Sequence, residues 1–183
     1  MFFSQSPRLF FSSLLTFFYL ILSSNAAAQL PTSEVQALRD IAKVLEKTDW
    51  NFDVDPCSDK LNWHTSSENA VNCSCSYSSG TICHVTSIVL KSQSLPGTLP
   101  KDLGNLPYLQ EIDLTRNYLN GTIPREWGSS KLVSISLLGN RLTGSIPKEL
   151  GNITTLKSLV LEINQLSGNI PPELGNLTSI ERL

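Results

Sequence analysis

The residues of this 183-residue chain best suited to chemistry crowd into one stretch, where Cys57, Cys73, Cys75 and Cys83 are followed by His84. Two chemistries compete for them. Cys73, Cys75, Cys83 and His84 form a loosely zinc-like set, but the usual two-residue spacing of paired cysteine ligands is absent. The alternative is two disulfides, which export into an oxidising compartment favours. Four cysteines allow three connectivities. A direct Cys73–Cys75 bridge is sterically awkward, so each of that pair is expected to reach Cys57 or Cys83. His64 and Glu68 are four apart and could be drawn as metal ligands on a helix, yet the intervening Thr-Ser-Ser argues for a flexible loop. We therefore expect no metal and no cofactor. No nucleophile elbow, His-Glu-x-x-His or phosphate-binding loop occurs, so catalysis is not expected either.

Export itself is legible at the start. Arg8, an apolar run from Leu9 to Leu22 and then Ala26-Ala27-Ala28 give residues 1–28 the order of a secretory signal peptide. The run is too short to span a bilayer comfortably, which takes about 20 residues, and no later segment could do so. Arg8 leaves with the leader, taking the formal charge one unit below the −2 of the whole chain, and every phenylalanine except Phe52 leaves too. A small, mildly acidic, aromatic-poor secreted chain is a poor electrostatic partner for nucleic acid and has no room for a kinase-sized catalytic unit. In the secretory pathway Asn72, Asn120, Asn152 and Asn176, each heading an Asn-x-Ser/Thr sequon, would accept glycans, and those faces would be kept out of tight interfaces.

The elements that position these groups show themselves by repetition. Prolines recur at 100, 124, 147 and 171, with glycines three positions earlier at 97, 121, 144 and 168, so both series step by 24, 23 and 24. Asn117, Asn140 and Asn164, with Gln93 in the first copy, keep the same steps, as do Ile88/Leu90, Ile112/Leu114, Ile135/Leu137 and Leu159/Leu161. Leucines at set offsets in a unit of this length are the signature of a leucine-rich-repeat solenoid. Within each unit the alternation predicts a short strand with two side chains inward, after which the asparagine turns in to satisfy backbone groups of the next coil. Gln93, being longer, should do this less well. Leu103, Leu150 and Leu174 fill the convex side, where Trp127 replaces leucine in a copy one residue shorter and is expected to be buried as a filler.

Ahead of the repeats, Val35, Leu38, Ile41, Ala42 and Leu45 have helical spacing, so residues 32–47 are read as one amphipathic helix opened by a Ser33/Gln36 capping box. Trp50, Phe52, Trp63 and Tyr77 then sit among the cysteines in a loop-rich stretch, expected to form a disulfide-stapled plug over the open edge of the first coil. The predicted organisation is a signal peptide (1–28), an N-terminal cap (29–84), four repeats (85–179) and the start of a fifth (180–183). The fold class is an α/β-type solenoid: a right-handed coil with a short parallel sheet on its concave face.

Residues 85–183 resemble the plant-type leucine-rich repeat, with Leu119-Asn-Gly121-Thr-Ile123-Pro124 and Leu142-Thr-Gly144-Ser-Ile146-Pro147 matching its L-x-G-x-I-P core. Residues 32–83 resemble the plant N-terminal cap. That cap usually ends in Cys-x-Trp-x-Gly-Val-x-Cys, whereas here Trp63 stands well before Cys73-Ser-Cys75, and Cys83-His84-Val85 follows. With Leu95-Pro-Gly-Thr-Leu-Pro100, the departure looks like the receptor-like kinases whose ectodomains join these repeats to a malectin-like domain. Such proteins are single-pass plasma-membrane Ser/Thr kinases, and the resemblance implies an extracellular, non-catalytic module that binds a peptide, a glycan or a co-receptor.

Binding is expected on the outward strand positions of the concave face. Lys91, Glu111, Asp113 and Arg116 form a charged group near the cap, for which self-compensation is the plain alternative. Leu138, Val160 and Ile163 place apolar side chains where solvent is expected, with Glu162 beside them. Four strands at about 4.8 Å would span only about 14 Å, enough for a short peptide segment or one edge of a protein. A free secreted inhibitor, like the polygalacturonase-inhibiting proteins, is the alternative. Because Ile180-Glu-Arg-Leu183 begins a coil without closing it, we expect the first portion of a longer receptor.

Overall fold

The structure is a computed structural model that describes residues 28–58 and 63–183. The proposed signal peptide falls almost wholly outside them. Helix α1, Thr32–Leu45, buries Leu38, Ile41, Ala42 and Leu45 of the stripe that its spacing predicts, with Ala37 added and Val35 only partly buried. Its start differs from expectation. Pro31 is the N-cap, without any side-chain cap, and its carbonyl receives the Glu34 and Val35 N–H groups. Ser33 already lies inside the helix, so it cannot close a capping box, and Gln36 donates instead to Asp40, one turn on. At the other end Glu46 turns left-handed (φ 56°) and the Lys47 N–H closes back onto the Ala42 carbonyl at 2.8 Å.

The cap contains more sheet than its loop-rich sequence predicts. Strands β1 (His64–Ser66) and β2 (Asn69–Tyr77) form an antiparallel hairpin, and β2 pairs antiparallel with β3 (Ile82–Leu90). From β3 the sheet continues in parallel through β4 (Glu111–Asp113), β5 (Ser134–Ser136) and β7 (Ser158–Val160). One six-stranded sheet therefore crosses from cap to repeats. At about 4.8 Å per step it spans about 24 Å, not the 14 Å expected from the repeats alone. Two short strands, β6 (Thr143–Gly144) and β8 (Gln165–Leu166), pair on the flank, and short 3-10 turns at Arg125–Ser129, Lys148–Asn152 and Pro172–Asn176 follow the prolines on the convex side.

The interior is one continuous cluster running from Leu38 and Leu45 through Ile88, Ile112, Leu114, Ile135 and Leu137 to Leu159 and Leu174. Neighbouring coils complete each other's burial, as the solenoid principle requires. The asparagine column knits the backbone. Asn140 Nδ2 donates to the Leu114 and Leu137 carbonyls at 3.0 Å each, while its Oδ1 accepts the Leu119 N–H at 3.1 Å. Asn117 and Asn164 repeat the pattern. Gln93 does not: its Oε1 accepts from the buried Lys47 Nζ at 3.1 Å, so the first coil is tied to the cap by a lysine. Trp127 is fully buried and its indole N–H donates to the Pro100 carbonyl at 2.7 Å, bridging the shortened coil to its predecessor.

Candidate partner-binding face

Strand register sorts the outward side chains into columns, because paired residues share a sheet face. Asn72, Ser87, Glu111, Ser134 and Ser158 form one column. Ala70, Val89, Asp113, Ser136 and Val160 form the next. Two residues further along each coil come Lys91, Thr115, Leu138 and Glu162, where backbone bonds still pass between coils, such as Ser92 N–H to the Thr115 carbonyl (2.9 Å) and Arg116 N–H to the Leu138 carbonyl (2.7 Å). A last column, Ser92, Arg116, Gly139 and Ile163, stands just before the glutamine or asparagine and is left-handed in every coil, with φ of 54, 56, 68 and 57°.

The charged group divides in two. Lys91 Nζ pairs with Asp113 Oδ2 at 3.1 Å, Ser87 donates to Glu111 at 2.8 Å, and the Thr115 N–H donates to Asp113 Oδ1 at 3.1 Å. Those three charges are answered within the chain. Arg116 is exposed and has no carboxylate within 4.0 Å among the described residues. The apolar trio divides too. Ile163 is 77% exposed and Leu138 is half-buried, but Val160 is only 4% exposed, which corrects the expectation that it faces solvent. Its column is the crowded middle of a sheet that curves toward its own outward side chains, and Val89 and Asp113 in that column are nearly buried as well.

A scan against family models matches the Leucine Rich Repeat at residues 108–130, 131–153 and 155–177. The chain carries leucine-rich repeats. Over 174 residues, 90% of this chain, it is 60% identical to a probable leucine-rich repeat receptor-like serine/threonine-protein kinase of Arabidopsis thaliana. It spans only 17% of that relative's length, a part that takes in cap and repeats alike and holds no kinase domain. Among solved structures it resembles the leucine-rich-repeat ectodomain of the receptor kinase SOBIR1 from Arabidopsis thaliana, with TM-score 0.66 and 28% identity over 85% of this chain and 79% of that one. It also resembles a chain of the BIR3–SERK2 complex from Arabidopsis thaliana, with TM-score 0.63 and 32% identity over 82% of this chain and 79% of that one.

Within this leucine-rich-repeat chain the cysteines join as Cys57–Cys73 and Cys75–Cys83, which uses up the thiolates a zinc site would need. His84 is held otherwise. Its Nδ1 meets Glu34 Oε1, while Glu34 Oε2 accepts the Val85 N–H at 2.9 Å, so a buried carboxylate fastens α1 to β3. The His84 ring also stacks with Tyr108 at 4.1 Å and meets Tyr77 edge-on at 4.7 Å. His64 lies on the β1–β2 hairpin rather than in a loop, 3.2 Å from Asn72 Oδ1. Asn120, Asn152 and Asn176 are exposed, whereas Asn72 is half-buried on the sheet. Among the described residues no helix is long and apolar enough to cross a membrane.

Sequence reasoning missed Tyr118 and Arg141. They occupy the position after the inward asparagines, on the outer rim, and the Arg141 guanidinium lies 4.6 Å above the Tyr118 ring. The signal was available: a residue flanking one that turns inward must itself turn out.

Proposed function

We propose that this chain is the extracellular recognition module of a plant receptor-like Ser/Thr kinase, non-catalytic itself, which binds a peptide, a glycan or a co-receptor on its concave face. The observation that carries the reading is the 60% identity running through cap and repeats alike to a receptor-like kinase of Arabidopsis thaliana. A neighbour from a complex of two named plant proteins supports a protein partner in particular. The departure of the cap around Trp63, Cys73, Cys75 and Cys83 supports the malectin-containing class, and the leader at 1–28 supports the secretory pathway and the outer face of the plasma membrane. The free secreted inhibitor reading gains nothing from the 60% identical relative, which is a probable receptor-like kinase.

Sequencing the transcript downstream tests the receptor reading. Further repeats, a membrane span and a kinase are expected, and a stop codon directly after Leu183 would overturn it. The face is tested separately by Leu138→Lys, which is expected to weaken partner binding at least tenfold, about 1.4 kcal/mol, without changing the melting temperature. Val160→Lys is not an equivalent test. It buries a charge in the crowded column and is expected to destabilise the fold by several kcal/mol.

A further inference from the structure

Leader and fold meet at one peptide bond. Ala26-Ala27-Ala28 ends the leader and Gln29 follows it, so cleavage after Ala28 makes Gln29 the first residue of the mature chain. Gln29 is also where the fold takes hold of the chain. It forms a parallel bridge with Ile82 at the start of β3: its N–H donates to the Thr81 carbonyl at 3.3 Å, and its carbonyl accepts the Cys83 N–H at 3.0 Å. The next residue, Leu30, is buried, and its N–H donates to Asp55 Oδ2 at 3.1 Å. The two bonds of Gln29 differ in what they hold. Cys83 is 1% exposed and joined to Cys75, so its N–H is cut off from water and relies on the Gln29 carbonyl. Gln29 and Thr81 are both exposed, so the longer bond between them exchanges with water at little cost.

Resting on the leader reading above, we propose that Gln29 is a modification site: once the leader is removed it closes to pyroglutamate, and the cyclised end stays docked on β3. In the step, the Gln29 α-amine nitrogen attacks its own side-chain Cδ. A new C–N bond forms, the bond from Cδ to Nε2 breaks, and Nε2 leaves as ammonia with the proton that the amine gives up. No co-reactant is consumed, and the positive charge of the chain's end is lost. The ring takes up the direction in which the Gln29 N–H now points, as a proline ring does, and so removes only the 3.3 Å bond to Thr81. Such a ring is tolerated at the first residue of a strand. The carbonyl is untouched and keeps the Cys83 N–H. Cyclisation thus protects the part of Gln29 that the fold uses. An aminopeptidase acting on an open end would remove the residue, and with it the partner of Cys83, whereas the lactam presents no free amine.

The experiment secretes the whole chain from cultured plant cells, tags the free amines of the intact protein, and then reads the tryptic peptide Gln29–Arg39 by mass spectrometry. A synthetic open peptide of the same sequence passes through the same digestion, so that cyclisation during handling is subtracted. Most of the peptide from the secreted chain is expected to be untagged and lighter than the open form by one ammonia, about 17 Da. Amide exchange at Cys83 should be at least about tenfold slower than at the exposed Ser79. Gln29→Ser should leave a tagged end that an added aminopeptidase trims, while the unchanged chain resists it. A peptide that begins at Gln29 and carries the tag would overturn the inference and leave the leader reading standing. A chain that begins at another residue overturns the cleavage point and the inference with it; one that keeps residues 1–28 overturns the leader reading as well. A cyclised end with fast exchange at Cys83, or one trimmed as readily as Gln29→Ser, would overturn the docked and protected end.

Discussion

Asn140 makes three buried hydrogen bonds, two to the preceding coil and one within its own, and no alanine could replace any of them. Each orphaned buried backbone group costs about 1–3 kcal/mol. Asn140→Ala should therefore lower unfolding stability by at least about 3 kcal/mol, read from urea midpoints at unchanged slope. Asn140→Asp keeps the acceptor but loses both donations, and should be nearly as costly. A loss below about 1 kcal/mol for the alanine variant would show that water takes over the ladder. This asparagine was legible in the sequence because its step of 23 or 24 matches the proline and glycine series. The burial of Val160 was not. Alternation tells which side of a strand a residue faces, and in a curved sheet the side does not fix the depth. The pairing of Lys91 with Asp113 was legible only as a possibility, since a column of charges reads the same whether its members meet each other or wait for a partner.

At the scale of elements, the cap and the first coil meet without a gap. A Cβ on Gly97 would stand 2.1 Å from the Val44 carbonyl oxygen and 2.6 Å from the Leu45 carbonyl carbon, and the neighbouring Thr98 N–H donates to that same Val44 oxygen at 3.0 Å. Gly97 has no positive φ, unlike its repeat counterparts, so the series of glycines hides two physical reasons behind one letter. Gly97→Ala must push the end of α1 away from backbone that cannot give, at a cost of about 2–3 kcal/mol. Hydrogen exchange should show it as lost protection in α1 and β3 ahead of β5 and β7; uniform loss across the sheet would mean that cap and coils unfold as one unit. The helix itself was legible from its spacing. Its start was not, because Glu34 spends its side chain on Val85 and His84, fifty residues away, and nothing local announces that contact. The hairpin β1–β2 was missed for a related reason: a strand carrying two cysteines, two serines and two asparagines has little β-propensity of its own, and pairing with β3 supplies what composition withholds.

For the whole molecule, the sequons acquire sides. Asn152 and Asn176 end convex 3-10 turns and Asn120 lies on the flank, its Nδ2 donating to the Pro96 carbonyl at 2.8 Å. Glycans there leave the concave sheet open. Asn72 is different, because register places it in the column of Ser87, Glu111 and Ser134, on the face proposed to bind. A glycan on Asn72 would stand over the cap end of the sheet and confine a partner to the strands from β4 onward, where Arg116, Leu138 and Ile163 lie. Asn72→Gln should then strengthen binding of a protein partner by about threefold, roughly 0.7 kcal/mol, chiefly through a faster on-rate. Asn176→Gln should leave it unchanged. Mass spectrometry of the secreted chain reports occupancy at each site, and surface plasmon resonance on the two variants reads the difference. Equal effects from both variants would mean that the glycans act through general bulk or charge rather than through the face they occupy. No effect from Asn72→Gln in a chain shown to carry that glycan would place the binding footprint entirely beyond β3.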